Sequence, residues 1–212
     1  LGRVAPIHLL WRGSVLILIL QVSIATVTRL ALLYQGWPDL AGDYTLLGSF
    51  ASGLWYDILA SCYAMVPWWI IAVLVPGAVW SRKAGGILLS ALTFLYGLVF
   101  AFIAVAEWFF WDEFQVRFNF IAVDYLVYTQ EVIDNIQQSY PMPAILGGLA
   151  AVGLLVVLVA KRSGLLNWVR AGSTSWWPRP GHTLLLAGLV TGVTFAFNQS
   201  QLPRFSNEFN RE

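Results

Sequence analysis

Four ionisable residues that follow a long apolar run are the first candidates for chemistry. They are Glu107, Asp112, Glu113 and Arg117. Paired carboxylates can transfer protons or hold a divalent cation. Tryptophan and phenylalanine side chains surround them, as is usual where a helix reaches a membrane–water interface, and acids are favourable near a helix N-terminus. The cluster is therefore open to two interpretations, a reactive site or the solvated start of an interfacial helix.

Arg29 and Asp57 form a second candidate pair, near corresponding ends of two successive apolar segments. An ionised group in such a position is costly unless it is paired, solvated or bound to a lipid headgroup. In one interpretation Arg29 binds a lipid phosphate and Asp57 orients the guanidinium. In the other, Arg29 extends toward water, and Asp57 forms a salt bridge with it or contacts water itself.

The remaining polar residues match no familiar catalytic or metal-binding pattern. Cys62 is the single cysteine, and His8 and His182 are interpreted as loop residues near basic side chains. No Ser–His–Asp arrangement, phosphate-binding glycine loop, metal-ligand set or nucleic-acid signature is present in the sequence. We therefore predict no catalytic residue and no bound metal or cofactor in this chain.

The composition is that of a membrane protein. Of 212 residues, 58% are hydrophobic and 11% charged, and the mean hydropathy is +0.70. Soluble domains carry about a quarter charged residues, so most of the outer surface must face lipid. The sequence excludes a soluble domain and predicts an all-α polytopic membrane protein.

The hydropathy pattern predicts five transmembrane helices, at about residues 14–33, 50–80, 86–106, 144–160 and 183–197. Pro67 is expected to kink the second. Residues 107–143 are amphipathic, and we expect them to lie in the interface plane as a helix or re-entrant hairpin. Residues 1–197 would thus form one transmembrane domain, with 198–212 as an extracytoplasmic linker. Because the sequence begins with Leu, we expect residues to precede it, and the first span is interpreted as uncleaved.

The distribution of charge predicts the orientation. With five spans, the acidic residues all lie on or near one side, and a set of basic residues lies on the other: Arg3, Arg12, Arg82, Lys83, Lys161, Arg162, Arg170 and Arg179. The positive-inside rule places that basic side in the cytoplasm. The N-terminus is therefore predicted to be cytoplasmic and the C-terminus external. The basic loop from Lys161 to Arg179 could also bind anionic lipid, although positive-inside bias alone accounts for it.

The stretch from Arg117 to Tyr128, RFNFIAVDYLVY, resembles a known family. Together with Glu131-Val132 and the ending Ser139-Tyr140-Pro141, it is similar to the membrane domain of Gram-negative lipoteichoic-acid-synthase-like phosphoglycerol transferases, in the alkaline phosphatase/sulfatase superfamily. The five-span layout agrees with that family, and residues 207–212 resemble the approach to its linker helix.

The resemblance implies a two-part enzyme in the bacterial inner membrane. Such proteins carry an extracytoplasmic α/β domain whose metal-bound Thr nucleophile transfers phosphoglycerol from phosphatidylglycerol to an acceptor such as a periplasmic glucan. Manganese or magnesium is expected in that domain. None of its catalytic residues has a counterpart in this chain, which alone is expected to be inactive and to serve as membrane anchor and lipid-presenting domain.

Two groups of residues are predicted to serve lipid presentation. Arg29, Asp57 and Arg117 are the candidates for binding lipid phosphate. An interfacial platform is predicted to receive the catalytic domain, and consists of Glu107, Trp108, Trp111, Asp112, Glu113, Asn119, Asp124 and Tyr125. The alternative function is a membrane scaffold whose outer segment binds another envelope protein. A transporter is disfavoured, because the central thirds of the spans carry almost no ionisable residues.

Overall fold

The computed structural model describes residues 8–37, 46–114, 140–172 and 178–199. These residues form helices and no strand, so the predicted all-α class is confirmed for the described part of the chain. The helices are α1 (Leu9–Gln35), α2 (Leu46–Leu74), α3 (Gly77–Trp80), α4 (Lys83–Phe114), α5 (Met142–Arg162), α6 (Leu165–Arg170) and α7 (Pro178–Gln199).

Four of the described helices, α1, α2, α4 and α5, are long and apolar enough to cross a membrane. They contain 27, 29, 32 and 21 residues, and about 20 suffice for the hydrocarbon core. The fifth predicted span corresponds to α7, which has 22 residues but is not among these four. Glycine and threonine interrupt its apolar residues. The membrane class is thus supported, whereas the count of five is not confirmed.

The predicted second span is divided at Pro76, and the kink predicted at Pro67 stays a prediction. Helix α2 continues through Pro67 to Leu74, and the separate short helix α3 begins after Pro76. Proline lacks an N–H donor and disfavours helical geometry in the residue before it. The break therefore comes at Pro76, where the chain turns toward α4.

Helix α4 is longer than the sequence suggested. The predicted third span stopped at Glu107, yet the helix continues without interruption to Phe114. At 1.5 Å per residue it is about 48 Å long, more than the hydrocarbon thickness of about 30 Å. The first part of the predicted interfacial segment, residues 107–114, is therefore helical and continuous with α4, and its place relative to the membrane stays a prediction.

The predicted basic loop after α5 contains a short helix. Gly164 adopts a left-handed conformation, with φ of 75°, and turns the chain immediately after α5. Helix α6 follows and buries Leu166 and Val169. It packs against α1, α4 and α5, so it closes one end of the bundle.

Helices α1, α2 and α4 form the centre of the bundle, with α5 packed on α4 and α7 on α2. Near the start of α1, the indole Nε1 of Trp68 donates to the carbonyl of Leu10 at 2.9 Å, and that of Trp69 donates to Ser14 Oγ at 2.9 Å. Trp68 is only 1% exposed and lies directly against Gly13. A core of tryptophans thus fixes α2 to the first half of α1.

The contact between α4 and α5 relies on small residues. A Cβ added to Gly97 would lie 3.1 Å from Val156, and one added to Gly153 would lie 2.8 Å from Phe94. Small residues let helices approach closely where no hydrophobic effect drives association, as in a membrane.

Candidate functional site

Arg29 and Asp57, which the sequence marked as a pair, form a buried ion pair between α1 and α2. Arg29 Nη2 donates to Asp57 Oδ2 at 2.7 Å, and the two side chains are 10% and 11% exposed. The guanidinium is therefore held within the helix interface and does not extend into water. Such a charge-assisted hydrogen bond is shorter and stronger than a neutral one.

Two residues of α2, Gly53 and Phe50, lie against the guanidinium of Arg29. A Cβ on Gly53 would lie 2.6 Å from Arg29 Cζ, Nε and Nη2, so only glycine leaves this space free. The ring of Phe50 lies 5.6 Å from Arg29 Cζ and contributes a cation–π contact. Gly53 and Asp57 are four residues apart and share one helix face. Gly53 was not predicted from the sequence, although its spacing from Asp57 is visible there.

A groove of about 390 Å³ lies between α1, α2 and α4, next to the ion pair. Its surface is mainly apolar, with contributions from Ile24, Phe100 and Ile103. Six polar side chains also line it: Gln21, Thr28, Tyr56, Asp57, Tyr63 and Glu107. Sequence reasoning missed the groove as a unit, because it arises from the relative rotation of three helices.

The two carboxylates of the groove lie at one of its ends. Helix α2 runs antiparallel to α1, since Asp57 contacts Arg29 whereas Trp69 contacts Ser14. It also runs antiparallel to α4, since Tyr96 Oη donates to the carbonyl of Ala64 at 2.8 Å, whereas the later residue Trp68 lines a small cavity with the earlier residue Leu89.

Thr28 lies about 10 Å beyond Gln21 along the axis of α1, and Glu107 lies about 10 Å beyond Phe100 along the axis of α4. Because α1 and α4 are both antiparallel to α2, the two steps point in the same direction. Thr28, Asp57 and Glu107 therefore share one end, named here the polar end of the groove. Gln21 and Phe100 lie at the other end. The groove thus joins an apolar body to a polar, carboxylate-bearing end.

Arg29 does not line the groove, although its partner Asp57 does. The guanidinium lies on the Gly53 side of α2, and its Nε atom is buried without a hydrogen-bond partner among the described residues. The groove consequently presents carboxylate and hydroxyl oxygens to a ligand. These groups accept hydrogen bonds, and carboxylates accept them most strongly.

The acidic cluster that the sequence suggested is not one site. Glu107 is buried, at 9% exposure, and lines the groove. Asp112 and Glu113 are exposed, and Asp112 accepts from Gln35 Nε2 at 3.3 Å. Asp112 and Glu113 come five and six positions after Glu107, and residues at these spacings do not share a helix face. This explains why Glu107 is buried whereas the other two are exposed. Arg117 lies outside the described residues.

The predicted platform is only partly described. Trp108 is 37% exposed, and Trp111 lies beside Gly36 at the end of α1. The rings of Phe109 and Tyr140 are 4.4 Å apart and join the end of α4 to the residues before α5. Three other predicted platform residues, Asn119, Asp124 and Tyr125, lie outside the described residues.

The histidines form a contact that the loop interpretation did not anticipate. His8 Nδ1 accepts from the backbone N–H of Leu10 at 3.2 Å and caps α1. Its ring lies 5.3 Å from that of His182 in α7. In the described part of the chain, no group of three or more His, Cys, Asp or Glu residues is placed to hold a metal ion.

No protein-family model matches the chain, and no curated protein or solved structure matches it either. What the groove can bind therefore follows from its own residues.

Proposed function

We propose that this chain is the membrane domain of a phosphoglycerol transferase, and that it presents phosphatidylglycerol to a catalytic domain outside the membrane. The similarity of residues 117–128 to that family motivates the reaction. The observation that carries the role of the membrane domain is the amphipathic groove between α1, α2 and α4, with Asp57 and Glu107 at one end.

The groove suits one phospholipid molecule in two respects. Its apolar body, with Phe100 and Ile103, can accommodate part of an acyl chain. Its polar end offers the carboxylates of Asp57 and Glu107 to hydroxyl donors. The glycerol headgroup of phosphatidylglycerol carries such hydroxyls, whereas a choline headgroup has no hydrogen-bond donor.

The structure suggests a revised role for Arg29. Because its guanidinium is bound to Asp57 and faces Gly53, we assign it to orienting the Asp57 carboxylate at the polar end. Among the three residues first considered for lipid phosphate, Arg117 is the one that we propose for direct contact. Its positive charge would complement the lipid phosphate.

The proposed topology has five spans in a bacterial inner membrane, with a cytoplasmic N-terminus. Helix α7 has 22 residues, about 33 Å, which is long enough to cross. The described acidic residues after Asp57 support the orientation, because Glu107, Asp112 and Glu113 all lie at the end of α4. The described lysines and most arginines lie at the opposite ends of the helices.

The proposal is tested with the full-length protein in liposomes of phosphatidylglycerol and phosphatidylcholine. Glu107→Gln removes one charge-assisted acceptor, and we expect phosphoglycerol transfer to fall about ten- to a hundredfold, since such bonds contribute roughly 1.5–3 kcal/mol. Glu113→Gln is the matched control, because Glu113 is exposed on the same helix.

Equal activity of the Glu107→Gln variant and the wild-type protein would contradict the role of the groove. Absence of any phosphoglycerol transfer by the wild-type protein, together with specific binding of another envelope protein, would favour the scaffold function instead.

A further inference from the structure

The end of the bundle opposite the polar end of the groove carries a second feature. Six basic residues lie there, at the start of α1, between α3 and α4, and around α5 and α6. We call this region the basic end, and it comprises Arg12, Arg82, Lys83, Lys161, Arg162 and Arg170. No Asp or Glu lies beside them in the described part of the chain. Arg12 is about 25 Å along α1 from Arg29, so the basic end is separate from the groove's polar end.

Two of these arginines are folded onto the protein. Arg12 donates through Nη1 to the carbonyl of Trp168 in α6, and its guanidinium lies 5.0 Å from the Trp168 ring. Arg170 donates through Nη2 to the carbonyl of Arg82 at 3.2 Å. Gly86 leaves room for this, because a Cβ there would lie 3.1 Å from Arg170 Nη1. The Arg12 guanidinium is thus held against α6, and that of Arg170 extends from α6 to the junction of α3 and α4.

Neither guanidinium has its charge compensated by the described residues. The carbonyls that accept from them are neutral, and the Nε atoms of Arg12 and Arg170 are both buried without a hydrogen-bond partner. Lys161 and Arg162, by contrast, are exposed, and water can solvate them. Positive-inside bias explains why basic residues lie here, but it does not explain why two of them are fixed against neutral carbonyls with no acid beside them among the described residues.

We propose that Arg12 and Arg170, with α6, form a binding site for the headgroup of an anionic phospholipid in the leaflet at the basic end. A phosphate oxygen accepts from guanidinium donors in a charge-assisted, often bidentate geometry. Trp168 is 37% exposed beside Arg12, and an indole is suited to the level of lipid headgroups. This combination favours a membrane lipid over a free phosphate ion. The site does not depend on the proposed transferase function.

The test compares lipid-dependent thermal stabilisation of the full-length protein. The melting temperature is measured in nanodiscs of pure phosphatidylcholine and in nanodiscs that also contain cardiolipin, and the difference is the lipid increment. We expect the double variant Arg12→Gln/Arg170→Gln to lose most of the increment. The control Lys161→Gln/Arg162→Gln removes the same charge from the exposed surface and should retain it.

Three outcomes would overturn the site. These are an unchanged increment in the Arg12→Gln/Arg170→Gln variant, an equal loss in the control, and an equal increment from inorganic phosphate in phosphatidylcholine nanodiscs. The increment compares one variant in two lipids, so a general loss of stability does not affect it. If the double variant fails to fold, Arg12→Lys/Arg170→Lys keeps the charge but not the planar donors, and a reduced increment supports the site whereas an unchanged one contradicts it.

Discussion

The guanidinium of Arg29 and the carboxylate of Asp57 meet at 2.7 Å inside the interface of α1 and α2. Each is nearly enclosed by protein, and Asp57 also lines the groove. The pair therefore links the packing of two helices to the chemistry of the site. Any change to one partner should affect both stability and lipid binding.

Removing one partner of this ion pair should destabilise the protein much more than replacing both partners. Asp57→Asn leaves the buried guanidinium without a counter-ion, and we expect the free energy of unfolding to fall by about 3–5 kcal/mol. The double variant Arg29→Met/Asp57→Leu replaces the pair by apolar side chains and should recover most of this loss. Reversible unfolding in mixed micelles measures both, with Glu113→Gln as an exposed control expected within about 0.5 kcal/mol. A double variant no more stable than Asp57→Asn would show that the pair is not an independent ionic unit.

Gly53→Ala should disturb the same ion pair by a steric route. The new methyl group would overlap the guanidinium of Arg29, which must move away from Asp57. We expect the free energy of unfolding to fall by about 1–3 kcal/mol. The effects of Gly53→Ala and Asp57→Asn should be less than additive, because both substitutions break the same ion pair. Gly148→Ala in α5 is the matched control, because no atom lies within 4 Å of its added Cβ. Strict additivity of Gly53→Ala and Asp57→Asn would contradict this explanation.

Gly13→Ala should be more damaging than Gly53→Ala. Its Cβ would overlap the indole of Trp68, which is 1% exposed and fixed by its bond to Leu10. A flexible arginine can move aside, whereas this ring cannot without opening the core. The melting temperatures of the two variants in the same detergent provide the comparison. A smaller decrease for Gly13→Ala would mean that the tryptophan core tolerates rearrangement.

The proposed orientation predicts which introduced cysteines are accessible from outside the cell membrane. In a Cys62→Ala background, Glu113→Cys lies near the end of α4 and Ser163→Cys follows α5, and both positions are exposed. A membrane-impermeant thiol reagent added to spheroplasts should label the first and not the second. Labelling of Ser163→Cys but not of Glu113→Cys would show that the orientation is the opposite of the proposed one.

The sequence was sufficient to predict the helices and the proximity of Arg29 and Asp57. Long apolar runs leave few alternatives to helices in a membrane, and two successive antiparallel helices bring residues near their joined ends together. A charged residue, Glu107, was interpreted as the limit of the third span; that limit stays a prediction, although the helix itself continues to Phe114. Glu107 is enclosed where α1 and α2 pack on α4, and this depends on helix rotation.

Short elements were also beyond sequence reasoning. Helix α6 has only 6 residues, fewer than two turns, so it produces no recognisable periodicity. Its position depends on contacts with the preceding helix α5 and with α1 and α4, which lie far away in the chain. The roles of Arg12 and Arg170 became visible only once those contacts were known.

Site-specific photocross-linking tests the central claim, that the groove holds phosphatidylglycerol, most directly. A photoreactive residue is placed at Ile103, which lines the groove, or at Phe102, its neighbour in α4, which is exposed outside the groove. The two positions lie at nearly the same depth in the membrane.

In bilayers of mixed phosphatidylglycerol, phosphatidylethanolamine and phosphatidylcholine, mass spectrometry identifies the cross-linked lipid at each position. We predict that Ile103 adducts are enriched in phosphatidylglycerol above its share of the bilayer, whereas Phe102 adducts match the bulk composition. The same lipid composition at both positions, or enrichment of phosphatidylethanolamine at Ile103, would contradict the proposal.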